Sequence, residues 1–166
     1  MIVSDTGPLI AFARLGRLPL LRQVVSTVLI PDAVFNEMVT RGRGRPGSSE
    51  VAEGTWIQRR TVSDQEALPQ FPAPLHAGER EAILLAAELN IPLLIDEHRG
   101  RHIAVTRARG LNVIGSLRIL GEAKARGLIP AVHPLVAELL DLAYWLDEAT
   151  IVRPFLREMG EHDTSG

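Results

Sequence analysis

Residues 1–16 read "MIVSDTGPLIAFARLG", and the fold turns on this stretch. A short apolar run, Met1 to Val3, meets Asp5 almost at once. Gly7 and Pro8 then break the extended backbone, and Leu9 onward returns to helical spacing. A buried strand passing directly into a helix is the start of a βα unit. The carboxylate at the junction has two readings. It caps the helix, because a short oxygen-bearing side chain accepts from the first free amides. Alternatively, it stands at the carboxyl end of a sheet strand, where α/β proteins gather their ligands.

The rest of the chain repeats the alternation. Helical spacing runs over Leu9–Leu21, broken at Pro19. Val24–Ile30 is rich in β-branched residues and predicts a second strand. Pro31 and Asp32 start a helix to Thr40, with Asp32 as its cap. "RGRGRPGSSE", 41–50, is a loop by composition, Trp56–Val62 a short strand, and 63–77, with three prolines, a loop. A helix over 79–90 leads to the buried strand "IPLLID", 91–96. A helix over 98–109 ends at Gly110, Leu111–Ile114 is a strand, and Ser116 caps a helix over 117–126. Helices follow at 134–148 and 151–159. Strands alternating with helices predict an α/β sandwich with a mostly parallel central sheet.

Composition narrows the chemistry. At 166 residues one compact domain is expected. With no cysteine, disulfides, thiolate nucleophiles and Cys-based zinc sites are excluded, and a reducing cytoplasm suits the chain. No signal-peptide pattern or membrane-spanning apolar run is present, so no membrane partner is expected. The net charge of −2 favours no polyanion, but nearly all positive charge is arginine, Lys124 being the one lysine. Arginine binds phosphate through two parallel hydrogen bonds.

Four carboxylates stand out: Asp5 after the first strand, Glu37 in the helix after the second, Glu79 at the start of a helix, and Asp96 closing "IPLLID". Each has a structural explanation as a cap, a solvated residue or a complement to a helix dipole. Together, carboxylates converging in an apolar setting repel one another, and a divalent cation removes that conflict. All-oxygen donors favour Mg²⁺ or Mn²⁺ over zinc. Arg41, Arg43 and Arg45 follow the Glu37 helix, while Arg99, Arg101, Arg107 and Arg109 follow Asp96. Both groups are candidates to hold a nucleic-acid backbone, with a solvated surface as the alternative.

The segments "VSDTGPLIAFARL", "IPDAVFNEM" and "HAGEREAILLAAELNIPLLIDEHRGRHIAVTRARGLNVIGSLRILGEAKARGLI" closely resemble PIN-domain proteins. They look most like the VapC-related, toxin-like branch of nucleic-acid-binding PIN proteins. The resemblance covers residues 1–130 and implies a PIN-like α/β/α sandwich there, with 131–166 as a C-terminal helical extension. It implies a cytoplasmic Mg²⁺- or Mn²⁺-dependent endoribonuclease with Asp5, Glu37, Glu79 and Asp96 as its catalytic acids, the metal on Asp5 and Asp96. It further implies an RNA substrate, an antitoxin partner and a homodimer. Two positions depart from the pattern: Glu79 has Glu81 as a rival, and Asp96 has Glu97. On a helix, Glu79 shares a face with Ile83 and Ala86, and Glu81 with Glu88. Glu79 is therefore expected in the pocket and Glu81 toward water. A receiver domain is excluded because the one lysine lies inside a helix, and a haloacid-dehalogenase-like phosphatase because Asp5-Thr6-Gly7 lacks its second aspartate. A catalytically inactive nucleic-acid-binding or protein-interaction module of the same fold remains the alternative.

Overall fold

The computed structural model describes residues 1–107, 110–144 and 146–161; the expectations for Arg109, and for the helix 134–148 at Trp145, lie outside them. Among these residues a five-stranded, wholly parallel sheet runs in the order β3-β2-β1-β4-β5. The strands are β1 (Ile2–Ser4), β2 (Val28–Pro31), β3 (Ile57–Arg60), β4 (Leu93–Leu94) and β5 (Val113–Ile114). Successive side chains of a strand point to opposite faces, and here both faces are apolar. Ile2, Val28, Ile30 and Leu94 join one core cluster, and Val3, Leu29, Leu93 and Ile95 the other. Continuous apolar strands of this kind are what a parallel sheet covered on both sides requires.

Helices supply the two covers. The first cluster draws on α1 (Thr6–Arg14), α2 (Leu18–Val25), α7 (Ser116–Ala125), α8 (His133–Asp141) and α9 (Arg153–Glu158). The second draws on α5 (Ala77–Leu89) and α6 (His98–Arg107). Leu135, Val136, Leu139 and Leu156 share their cluster with Phe12 and Leu120, so the C-terminal helices pack on the same core as the first. Lys124 reinforces that closure: its Nζ donates to the Met159 carbonyl and to Glu161 Oε1, each at 2.7 Å. Glu161 in turn accepts from the amides of Val132 and His133 at the start of α8. No helix among the described residues is long and apolar enough to cross a membrane.

Several boundaries differ from the sequence expectation. Leu9–Leu21 is two helices, because Gly16, at φ 64°, turns the chain and Pro19 starts α2 rather than interrupting one helix. A proline is tolerated in a first turn, where its missing amide has no partner to lose. Val24 and Val25 belong to α2, where Val24 packs into the core, so β2 begins only at Val28. Residues of the 41–50 loop from Ser48 onward form α4 (Ser48–Glu53), and a 3₁₀ turn (Gln65–Gln70) forms inside 63–77, with Asp64 Oδ1 accepting from the Ala67 amide. Asp32 does not cap its helix; it opens α3 (Asp32–Phe35) and pairs with Arg59. The free amide at Ala33 is satisfied from outside, by Glu81 Oε2 at 2.8 Å.

Beyond α3 the backbone widens into a π-helical turn, Asn36–Thr40, which carries Glu37. Such turns are rare and redirect a side chain relative to the helix before them. Gly42 closes the turn tightly: a Cβ there would lie 2.4 Å from the Met38 carbonyl oxygen and 2.7 Å from that of Glu37. Both atoms are backbone and yield only by moving the turn. Gly42→Ala is therefore expected to destabilise the protein by about 1–3 kcal/mol, read as a lower urea midpoint, whereas an unchanged midpoint would show that the turn has slack.

Candidate acidic site

Strand order fixes where the site lies. From β1 the chain builds outward through β2 and β3 on one side and β4 and β5 on the other. The crevice beyond the carboxyl ends of β1 and β4 is therefore the topological switch point, where open α/β sheets bind their ligands. Asp5 follows β1 directly, and Asp96 lies just past β4. The Asp5 amide donates to the Leu94 carbonyl at 3.0 Å, which ties the two strand ends together.

Asp5 fills both roles open to it. Its Oδ2 accepts weakly from the Gly7 amide, at 3.5 Å, as the cap of α1, and its side chain is buried at the crevice floor. Glu37 reaches in from the π-helical turn, accepting from Thr6 Oγ1 at 2.6 Å and the Gly78 amide at 3.3 Å. A Cβ on Gly78 would stand 3.1 Å from both Glu37 oxygens, so a larger residue would press that carboxylate out of its present place. Glu79 is buried in the first turn of α5, where its Oε2 accepts from the His76 amide at 2.7 Å. Asp96 is held by three donors: Ser116 N on Oδ1 at 2.7 Å, and Ser116 Oγ and Tyr144 Oη on Oδ2 at 2.5 and 2.6 Å.

The rival acids have backbone partners of their own, though the charge of Glu97 still reaches Glu79. Glu97 accepts from the Gly100 amide at 2.6 Å and starts α6. Glu81 is half-buried rather than solvated, against the expectation from its shared face with Glu88, because α3 covers that side of α5 and takes its carboxylate as a cap. Glu88 is exposed and accepts from the amides of Ser63 and Asp64. Ser116, expected only to cap a helix, holds Asp96 instead. Tyr144 is absent from the sequence expectations: it is the one tyrosine of the chain and sits in no motif.

The arginines divide. Arg41, Arg43, Arg45 and Arg99 are exposed. Arg101 is half-buried and donates from Nη1 to the Ile95 carbonyl at 2.9 Å. That nitrogen and Asp96 Oδ1 both lie within 3.0 Å of the point a Gly115 Cβ would take, so the guanidinium borders the site. Arg107 is committed to the Gln70 carbonyl and the face of Phe71. A cavity of about 340 Å³ opens beside Asp96, walled by Arg101, Arg118, Leu117 and Phe155.

Electrostatically the crevice is overloaded with negative charge. Burial first, then the charges of Glu79 and Glu37, push Asp5 up to about 7. Burial, with Glu97 and Glu37, also raises Glu79. Burial and the carboxylates of Asp96 and Asp5 push the Tyr144 hydroxyl far above the ordinary phenol range, so it remains a donor. Among the described residues no lysine or arginine forms an ion pair with Asp5, Glu37, Glu79 or Asp96. Nor are any three His, Asp or Glu side chains among them arranged to hold a metal ion. The donors nevertheless suit a hard cation in kind: all are oxygen, and none of the four carboxylates is in an ion pair with a lysine or arginine among the described residues. Mg²⁺ is typically bound through one or two carboxylates, its other positions kept by water and substrate phosphate, without an all-protein cage.

This burial has a pH signature. An acid whose pKa rises on folding keeps its proton longer in the folded chain, so between its ordinary 3.8 and about 7 the folded state of this protein binds more protons at Asp5. Stability therefore falls as pH rises through that window, and the penalty is complete above it. At about 1.4 kcal/mol per pKa unit, it amounts to a few kcal/mol. In metal-free buffer Asp5→Asn is expected to be more stable than the parent at about pH 8, with the gap closing toward about pH 4. Urea unfolding across that range checks this, and a gap independent of pH would count against the buried charge.

No curated protein matches the chain in sequence. A family model described as a PIN domain matches residues 1–161. PIN domains have a nuclease-type fold and are generally hydrolases that typically use divalent metals. The parallel sheet between two helical layers and the match across nearly the whole chain lead to one assignment: the chain belongs to the PIN-domain family.

Proposed function

We propose that the protein is a Mg²⁺- or Mn²⁺-dependent endoribonuclease of the VapC-like kind, acting as the toxin of a toxin–antitoxin pair. The observation that carries the chemistry is the acidic crevice at the switch point, with Asp5 pushed up to about 7 by burial and by neighbouring acids. In this reading Asp5 and Asp96 hold the cation. A cation held there would supply a nucleophilic water at neutral pH and an offset to the charge on the phosphoryl oxygens.

The chain's own residues do the rest. Glu37, steadied by Thr6 and the Gly78 amide, faces the crevice as an acceptor that orients the attacking water. Glu79, whose pKa burial raises, is suited to accept and release a proton. Arg101, fixed by the Ile95 carbonyl, offers its remaining N–H groups to a phosphate beside Asp96. The cavity next to Asp96 gives a nucleotide of the bound strand room against Leu117 and Phe155. The antitoxin and a homodimer are proposed on the VapC-like resemblance, and the exposed Leu142 and Ile151 offer apolar surface for such contacts.

Cleavage of single-stranded RNA with added Mn²⁺ tests the reading. Asp5→Asn is expected to abolish it while the protein stays folded. Glu79→Gln should remove most activity and Glu81→Gln little, since a glutamine oxygen still caps α3. Equal cleavage by Asp5→Asn and parent at saturating Mn²⁺ would end the metal-nuclease reading, and absence of cleavage by the parent would leave an RNA-binding module.

A second expectation concerns the exposed Arg41, Arg43 and Arg45. Replacing all three with glutamine should weaken RNA binding and reduce the steepness of its salt dependence by about 0.7 for each phosphate that is no longer neutralised. Fluorescence anisotropy over a salt series reads the slope, and an unchanged slope would place the loop off the RNA path.

A further inference from the structure

We infer that Tyr144 is a positioning residue of the acidic site: its hydroxyl locks the Asp96 carboxylate in the orientation that receives the divalent cation. The inference rests on the metal-site reading above and adds to it a residue from the C-terminal segment.

The donors on Asp96 show how the lock works. A carboxylate has about four acceptor positions. Two hydroxyls, from Ser116 and Tyr144, converge on Oδ2, and the Ser116 amide takes one position of Oδ1. One acceptor position remains, and it is on Oδ1. Ser116 grips both carboxylate oxygens, but from one residue at the start of α7. Tyr144 grips the same group from 48 residues away in sequence and so fixes it from a second direction. Tyr144 Oη and Asp5 Oδ2 both lie within 3.7 Å of the point a Gly7 Cβ would occupy, so the phenol reaches the gap between the two metal-holding acids.

The backbone is built to deliver that hydroxyl. At the end of α8 the amides of Ala143 and Tyr144 fold back onto the carbonyls of Leu140 and Leu139, both at 2.9 Å. The turn needs a left-handed residue, and Ala143 takes it at φ 55°, a conformation strained for a residue bearing a Cβ. Arg14 Nη1 donates to the Leu142 carbonyl at 3.1 Å and pins the turn against α1. The ring position is thus set independently of the hydroxyl, so Tyr144→Phe removes one hydrogen bond and leaves the turn in place.

Orientation of this kind acts through the ligand. Partners that hold a metal-binding carboxylate or imidazole typically contribute 10–100-fold to metal affinity. Isothermal titration of Mn²⁺ into the parent and Tyr144→Phe, at equal ionic strength, is expected to give binding about 10–100-fold weaker in the variant, with unchanged far-UV circular dichroism. Because the chain has one tyrosine, ¹³Cζ-tyrosine labelling yields a single resonance. Mg²⁺ should shift that resonance in the parent and not in Asp96→Asn, a readout that needs no Tyr144 variant to fold. Parent-like Mn²⁺ affinity in Tyr144→Phe, or tighter binding, would overturn the positioning role while leaving the metal site standing. Absence of any Mn²⁺ binding by the parent would overturn both.

Discussion

Keeping an aspartate buried where its ionised form is disfavoured is the constraint around which the molecule is arranged. Asp5 lies at the junction of β1 and α1 with almost no exposure, beside two further acids. Folding relieves it only in part: the backbone amides of Thr6 and Gly7 favour the anion, the latter a weak partner at 3.5 Å, and no cationic side chain among the described residues pairs with it. Proteins tolerate such a cost where function requires the group. The surroundings are consistent with that view. Gly78 leaves room for the carboxylate of Glu37, and the sheet order brings the end of β4 to that of β1.

The layers of the fold were legible because strands buried on both faces write themselves as unbroken apolar runs. "MIVS", "TVLIP" and "IPLLID" all do so, and their alternation with helical spacing dictates a parallel sheet. Boundaries were harder where local and tertiary preferences compete. Val24 and Val25 favour a strand by their branching, yet burial of Val24 against the core holds them in α2. Ser48 onward looked like the tail of an arginine-glycine loop, but the turn at Gly47 (φ 88°) releases it into a helix.

The positions of the four acids could be read from strand ends and helix starts. Their partners could not, because those depend on contacts between distant segments. Glu81 looked solvated from helical periodicity alone, which says nothing of a second helix packed across that face. Ser116 read as a cap from its place before a helix, and only the approach of Asp96 gave it another role. Tyr144 carries no local signal: its contribution depends on a left-handed alanine and a turn whose direction no periodicity records.

The contacts between α3 and α5 carry a mechanical consequence. The α3 segment with its π-helical turn and α5 each offer a carboxylate to a backbone amide near the start of the other: Glu81 to Ala33, and Glu37 to Gly78. The exchange is reciprocal, so the pair behaves as a two-point clasp rather than a hinge. Sliding either arm along the other breaks both bonds together, and tilting one strains whichever end it lifts. The clasp thus sets the spacing of Glu37 and Glu79, one on each arm, while the sheet sets that of the strand-borne aspartates.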